Sequence, residues 1–387
     1  MLDRPAHNGW VVAPFRQYVV KLHSRCNLSC DYCYVYQHVD QSWRDRPMVM
    51  SPATIDALAG AMAEHVAAHG VRRVHVVLHG GEPLLAGPGV LEQAVTRIRS
   101  ALPAGTGAEV SLQTNGTLID DRFIDVFRRH RIGVGISVDG GREATDRHRR
   151  FADGRPSFHL VERGIERLRA AAGERWTGLL CTVDLTNDPL QVYEDLLALR
   201  PPHIDFLLPL ANWAHPPPGH GSGPTPYADW LIPIFDRWFS APRRATGIRL
   251  FESIIGRMLG GSSGSEAVGL DSADAITVET DGSLEVTDAL KTTAPGLGAL
   301  GLSVHRNSLD EAMARPEVRA ARRTLARLAP DCRKCPLAQV CGGGQYSHRF
   351  GPDGTFDHRS VYCADLQRLI THVHARLRAA LETSPGA

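Results

Sequence analysis

No stretch of the sequence is apolar for long enough to cross a bilayer, and the opening MLDRPAHNGW lacks the basic-then-apolar layout of a secretory signal. A cytosolic protein with no membrane partner is the expectation. An excess of one charge sign is also missing, since 43 Lys and Arg face 42 Asp and Glu. No general field therefore draws in nucleic acid or an anionic surface, and any partner must be recognised by local contacts. Internal repeats and long low-complexity tracts are absent too.

What is present is enough apolar residue, 43% of 387, to bury a large core, and the length suggests one large domain with a smaller one attached. Eight cysteines in a reducing compartment do not read as a disulfide framework. Seven of them fall into two groups, which points to metal ligation. Cys181 stands alone inside an apolar run and reads as a buried structural thiol.

From about 15 to 210 short β-branched runs alternate with longer amphipathic stretches. FRQYVVKLH, RRVHVVLHG, GAEVSLQT, GVGISVDG, WTGLLCTVDL and IDFLLPL have strand length and apolar density. PATIDALAGAMAEHVAAHG, GVLEQAVTRIRSAL, DDRFIDVFRRH, FHLVERGIERLRAAAG and PLQVYEDLLALR have helical periodicity. Six such repeats predict an α/β fold with a mostly parallel sheet, a partial (β/α)6 barrel rather than a closed eightfold one. The Pro/Gly/His-rich NWAHPPPGHGSGPTP is the best domain boundary, 226–260 looks helical, and AITVETDGSLEVTD reads as a hairpin turning at Asp281-Gly282. Residues 330–365 are turn-rich, dominated by cysteine and short of core-forming residues, so they are expected to fold around a metal. The expected division is an N-terminal extension (1–14), the barrel (15–212), a connector with a helical bridge (213–265), a small cysteine-bearing domain (266–375) and a flexible tail (376–387).

Cys26, Cys30 and Cys33 lie in LHSRCNLSCDYCYVY, directly after the first strand. Three thiolates can hold three irons of a [4Fe–4S] cluster and leave the fourth open to an exogenous ligand, whereas structural zinc would need a fourth ligand such as His23 or His38. This CX3CX2C, with Tyr32 before its last cysteine, resembles the radical S-adenosylmethionine (SAM) motif. His79-Gly80-Gly81-Glu82-Pro83, at the end of the second strand, resembles that family's GGEP motif. There Gly80 and Gly81 allow close backbone approach, and Glu82 is an acceptor for the SAM ammonium. By the same resemblance Asn115, in QTNG after the third strand, and Ser137, in SVDG after the fourth, belong near the SAM ribose or methionyl group. Turn capping is an equal reading for both.

Cys332, Cys335, Cys341 and Cys363 form CX2CX5C plus a distant cysteine, a complete set for a closed [4Fe–4S] cluster or for zinc. The arrangement resembles the SPASM domain of peptide maturases, which tips the choice to iron–sulfur. A full SPASM pattern carries further cysteines for a second auxiliary cluster. Here Gln345 and Thr287 stand at two of those positions, and the upstream cysteine is missing from 252–275. One auxiliary cluster is therefore expected, two [4Fe–4S] clusters in all.

Several SPASM maturases place a catalytic Asp next to the missing ligand position, and Asp288 follows Thr287 here. An exposed acid on a hairpin strand is the equally weighted alternative. The phrasing LHSRCNLSCDYCYVYQHVDQSWRDRPMVMS, VHVVLHGGEPLL, VETDGSLEVTDALK and CGGGQYSHRFGPDGTFDHRSVYCADL resembles the FxsB-type maturases, which form cyclophanes in peptides. The resemblance implies a ribosomally made precursor peptide as substrate and an aromatic carbon joined to a β-carbon. It also implies Asp288 as the base, and an electron donor such as flavodoxin or ferredoxin. Twenty-five residues precede Cys26, too few for a winged-helix leader-binding domain, so precursor binding is expected on the barrel, connector or C-terminal module. Trp43, Arg44 and Arg46 are candidate peptide contacts, with a solvated loop as the plainer reading. A thioether crosslink, oxidation of Ser or Cys to formylglycine, and a non-catalytic iron–sulfur or zinc peptide-binding protein are the alternatives.

Overall fold

All six runs expected to be strands are strands: β1 (Gln17–His23), β2 (Arg73–Gly80), β3 (Gly107–Thr114), β4 (Ile132–Ser137), β5 (Trp176–Thr182) and β6 (His203–Leu207). They lie side by side in chain order and parallel. The connections hold α1 (Pro52–His69), α2 (Pro88–Ala101), α3 (Asp121–Arg129), α4 (Arg142–His148), α5 (Phe158–Ala172) and α6 (Pro189–Ala198); only the two-turn α4 has no counterpart among the expected helices. The computed structural model describes residues 13–270, 274–322 and 324–383, so nearly all of the expected 1–14 extension lies outside the described residues.

Local chemistry sets the helix ends. Ser51 caps α1 by accepting the Thr54 N–H, Pro52 sits where no intrahelical donor is needed, and Gly70 ends the helix at φ 60°. Asp120 and Asp188 cap α3 and α6 in the same way. One face of β2 and β3 is buried and the other half-buried, whereas β1 is buried on both faces over its last four residues; Tyr18, Val20 and Leu22 are fully buried. Lys21 is buried among them, at 3% exposure.

The sheet continues past both ends of the expected six strands. A two-residue β7 (Gly247–Ile248) pairs with β6, between helices α7 (Pro226–Phe239) and α8 (Arg249–Met258) that divide the expected 226–260 helical region. On the other side β8 (Ala275–Val278) pairs parallel with β1, and β9 (Ser283–Glu285) and β10 (Ala299–Ser303) follow antiparallel. The hairpin turns at Gly282, φ 81°, as expected. It extends the barrel's sheet and covers the edge β1 would otherwise present. The sheet has open ends at β10 and β7 and does not close into an eightfold barrel.

The last helix runs from Cys363 to Thr383, so most of the expected tail is helical. Asp365 in its first turn accepts the Tyr227 and Ala228 N–H groups at 2.8 and 3.0 Å, capping the start of α7 from another helix. Asp365→Ala leaves two buried donors unpaired and is expected to cost about 2–3 kcal/mol in a urea titration; an unchanged midpoint would show that the cap contributes nothing.

Candidate active site

The loop leaving β1 is pressed onto the end of β2. The Gly81 N–H donates to His23 O at 2.8 Å and the Glu82 N–H to Arg25 O at 3.0 Å. A Cβ on Gly80 would overlap the His23 carbonyl, and one on Gly81 the Tyr36 hydroxyl and the Arg25 backbone. The paired glycines are thus required by backbone-to-backbone approach.

Cys26, Cys30 and Cys33 project from this loop, mutually close enough to oppose one another's ionisation. Burial pushes the Cys26 thiol up to about 12 and Cys30 to about 11, so a cation is needed to draw off their protons. Cys332, Cys335, Cys341 and Cys363 form a second neighbourhood, with burial raising Cys341 to about 12. Among the described residues no three of these sulfurs lie within 4.8 Å of one another. Tetrahedral zinc at about 2.3 Å per sulfur would bring neighbours to about 3.8 Å. Three and four thiols match in type and number the donors of an open and a closed [4Fe–4S] cluster respectively. His23 turns its Nδ1 onto the Arg25 backbone. Cys181 is 1% exposed and apart from both sets, as expected.

Glu82 is fully buried, and its carboxylate accepts from Thr114 Oγ1 (2.7 Å) and from the Leu84 and Asn115 N–H groups (3.0 and 2.8 Å). Burial still raises its carboxyl, against these hydrogen bonds. Asn115 Nδ2 in turn donates to Asn27 Oδ1 (2.8 Å) and reaches Cys26 Sγ (3.7 Å). Ser137 Oγ accepts from Gln113 Nε2 at 2.8 Å. Tyr32 donates to Asp139 and accepts from Arg149 Nη1 at 2.7 Å. Arg149 is buried with its Nε unpartnered, and its charge favours ionisation of Cys30.

Asp288 departs from the sequence expectation in place and surroundings. Strand β9 ends at Glu285; Asp288 opens a 3-10 turn, Asp288–Thr292, and its side chain is 16% exposed. It forms an ion pair with Lys21 of β1 and accepts the Tyr34 hydroxyl at 2.8 Å, both on Oδ2. Burial opposes its charge, but Lys21, then His79 and the two hydrogen bonds, hold the carboxyl well below the usual range. Thr287, where a thiolate is absent, caps the turn by accepting the Ala289 N–H. Lys291, three residues on from Asp288, is buried between Glu279 and Glu285.

The loop bearing Trp43, Arg44 and Arg46 is pinned at Trp43 and Arg46, while Arg44 is exposed to solvent. Arg25 Nη1 donates to the Trp43 carbonyl at 2.6 Å and stacks on the indole, while Arg46, with an 11% exposed side chain, pairs with Asp281 and Glu285. Among the described residues one group is compact enough for a lone ion, His65, His69 and Asp310. His65 Nε2 accepts the Phe15 N–H at 2.9 Å, so Nδ1 carries the proton given to Asp310 and has no lone pair for a metal. Sequence reading assigned no role to Lys21, Tyr34, His79, Asp139 or Arg149. The one signal available was a lysine inside the apolar run QYVVKLH.

Residues 20–196 match the model of the radical SAM superfamily. The serine-type anaerobic sulfatase-maturating enzyme of Klebsiella aerogenes is 26% identical over 341 residues, 87% of this chain and 80% of that protein. A cysteine-type counterpart from Clostridium perfringens is 24% identical over 362 residues, 92% and 95% of the two chains. In structure, native anSMEcpe with bound AdoMet superimposes with a TM-score of 0.80 at 22% identity, over 95% of this chain and 100% of that one. Streptococcus suis SuiB bound to precursor peptide SuiA gives 0.56 at 12%, over 91% and 76%. The cofactors of the radical SAM fold, SAM and [4Fe–4S] clusters, meet a matching donor set in the cysteines described above. Gly81→Ala is expected to push the cysteine loop off β2, so that iron reconstitution loses the cluster at Cys26, Cys30 and Cys33 and keeps the one at Cys332, Cys335, Cys341 and Cys363. Full iron content in that variant would show that the glycine contact does not position the loop.

Proposed function

We propose that the protein is a radical SAM peptide maturase that joins an aromatic side-chain carbon to the β-carbon of a nearby residue in a ribosomally made precursor, forming a cyclophane. Its cofactors are SAM, held near Tyr32, Gly80, Gly81, Glu82, Asn115 and Ser137, and two [4Fe–4S] clusters, one on each cysteine set. The electron comes from a flavodoxin or ferredoxin. The observation that carries the reading is Asp288, a carboxylate paired with Lys21 and hydrogen-bonded to Tyr34, the residue after Cys33.

When bound, the clusters supply the redox chemistry: one electron to cleave SAM into a 5′-deoxyadenosyl radical that removes a β-hydrogen, and a sink for the electron released as the ring rearomatises. The chain's own residues do the rest. Asp288 takes the ring proton, a task open to a weak base because the sp3 carbon of the ring adduct is strongly acidic. Lys21 compensates its charge inside the barrel. Thr287 and Gln345, neither of them a thiolate, leave the inner auxiliary site without ligands, which favours this reading over a close sulfatase maturase.

A second reading, oxidation of a peptidyl Ser or Cys to formylglycine, is supported by the near full-length likeness to sulfatase-maturating enzymes. Mass spectrometry of the adjacent-gene precursor after co-expression separates the two. The cyclophane predicts loss of two hydrogens, no reaction with hydroxylamine, and suppressed fragmentation between the joined residues; a hydroxylamine-reactive aldehyde would establish formylglycine instead.

Two clusters predict about eight irons per chain, and Cys→Ala at 26, 30 and 33 together should leave about four and abolish 5′-deoxyadenosine formation. About twelve irons would mean that other ligands restore the inner site. In Asp288→Asn, SAM cleavage is expected to continue while product falls about a hundredfold or more, the scale of a lost general base. Product at the wild-type rate would remove Asp288 from that role.

A further inference from the structure

The Asp288 carboxylate is held on one side only. Lys21 Nζ and Tyr34 Oη both donate to Oδ2, and no hydrogen bond reaches Oδ1 among the described residues. The three residues come from distant parts of the chain: Lys21 from β1, Tyr34 from the cysteine loop, Asp288 from the turn after the hairpin. Lys21 Nζ is also 3.0 Å from His79 Nδ1 of β2. Nδ1 is equally close to the Gly80 carbonyl, which can only accept, whereas a lysine ammonium only donates; Nδ1 therefore meets Lys21 in the tautomer with its proton on Nε2 and Gly80 in the other. Burial, then Lys21, lowers His79 to about 4, which keeps the ring neutral at neutral pH and able to accept from Lys21.

We infer that Lys21 is a positioning residue for the proposed base: anchored on His79, it clamps Oδ2 of Asp288 together with Tyr34 and so leaves Oδ1 as the oxygen that meets the substrate. The inference rests on Asp288 acting as that base. Asp288 is carried by the C-terminal segment, whereas the cysteines that hold the SAM-cleaving cluster follow β1. The clamp fixes the distance between the two, because Lys21 lies five residues before Cys26 and Tyr34 one residue after Cys33. Orientation of this kind supplies rate without adding a new reacting group.

Lys21 has a second consequence. Asp288 is half-buried, and the groups facing it are Lys21 from β1, His79 from β2 and Tyr34 from the loop, with Glu279 of the hairpin acting on the last two. Lys21 contributes the positive charge of this set. Without it, burial prevails and the carboxyl rises, so the base is lost by protonation as pH falls through the new value. With it, the base stays ionised across the whole working range.

The test compares Lys21→Met, Lys21→Arg and Asp288→Asn in the cluster-loaded enzyme, with the co-expressed precursor. Product per 5′-deoxyadenosine is measured against pH, and infrared difference titration follows the protonated carboxyl band that Asp288→Asn removes. Wild type should show a flat coupling ratio and no such band down to mildly acid pH. Lys21→Met should gain an acid limb, with coupling reduced roughly tenfold or more at its low end. The carboxyl band should grow over the same pH span, while SAM cleavage continues. Lys21→Arg should restore the flat profile, because it returns the charge. If Lys21→Met fails to fold, Lys21→Gln provides the same comparison with a polar side chain. A flat profile and absent band in the neutral variants, with Asp288→Asn still inactive in product formation, would overturn the positioning role while leaving the base intact. Wild-type product from Asp288→Asn would instead remove the base reading on which the inference stands.

Discussion

The site depends on how closely the loop after β1 can sit against the end of β2. Two glycines, Gly80 and Gly81, let the carbonyls of His23 and Arg25 come within hydrogen-bond distance of the Gly81 and Glu82 N–H groups just past the strand. From that contact the rest follows by short links. Glu82 is turned inward onto Thr114 and Asn115 at the end of β3, and Asn115 reaches back to Asn27 and Cys26. Tyr32 and Tyr34, which flank Cys33, are turned onto Asp139 and Asp288 respectively. A loop that carries cluster ligands would otherwise be held by few contacts of its own; here it is fixed by bonds to three strands and to the C-terminal turn.

The second organising feature is a set of buried charges on the C-terminal side of the site. Lys21 with Asp288, and Lys291 with Glu279 and Glu285, are compensated inside the fold rather than at its surface. Removing one partner from such a pair costs far more than the pair contributes in net stability, because it leaves a charge buried alone. These pairs therefore specify geometry more than stability. They fasten the hairpin and its following turn to β1 and to the cysteine loop, which is why the segment expected to be a separate small domain begins as an extension of the barrel's own sheet.

The sequence made the six barrel strands and both cysteine groups legible, because each rests on a local signal: runs of buried β-branched residues, and thiols at fixed spacing. GGEP, QTNG and SVDG were legible as turns at strand ends, but their partners were not. Glu82 serves the backbone around it, and Ser137 is taken up by Gln113, contacts that join strands far apart in sequence. Asp288 was placed on a hairpin strand because the alternation of DGSLEVTD continues through it; the chain leaves the strand after Glu285, when Thr287 begins to cap the next turn. Lys21 was hidden for the opposite reason. Inside a strand covered on both faces, its one charged side chain is readable only once the residue that meets it, 267 positions away, is known.

The account's central claim is that a radical made at the Cys26, Cys30 and Cys33 site acts directly on a peptide β-carbon. The most direct measurement is isotopic: incubation with a precursor deuterated at its β-carbons, followed by mass analysis of the 5′-deoxyadenosine released. Transfer of one deuterium into 5′-deoxyadenosine, in proportion to modified peptide, is the result the account predicts. Modified peptide accompanied by 5′-deoxyadenosine free of deuterium would contradict it.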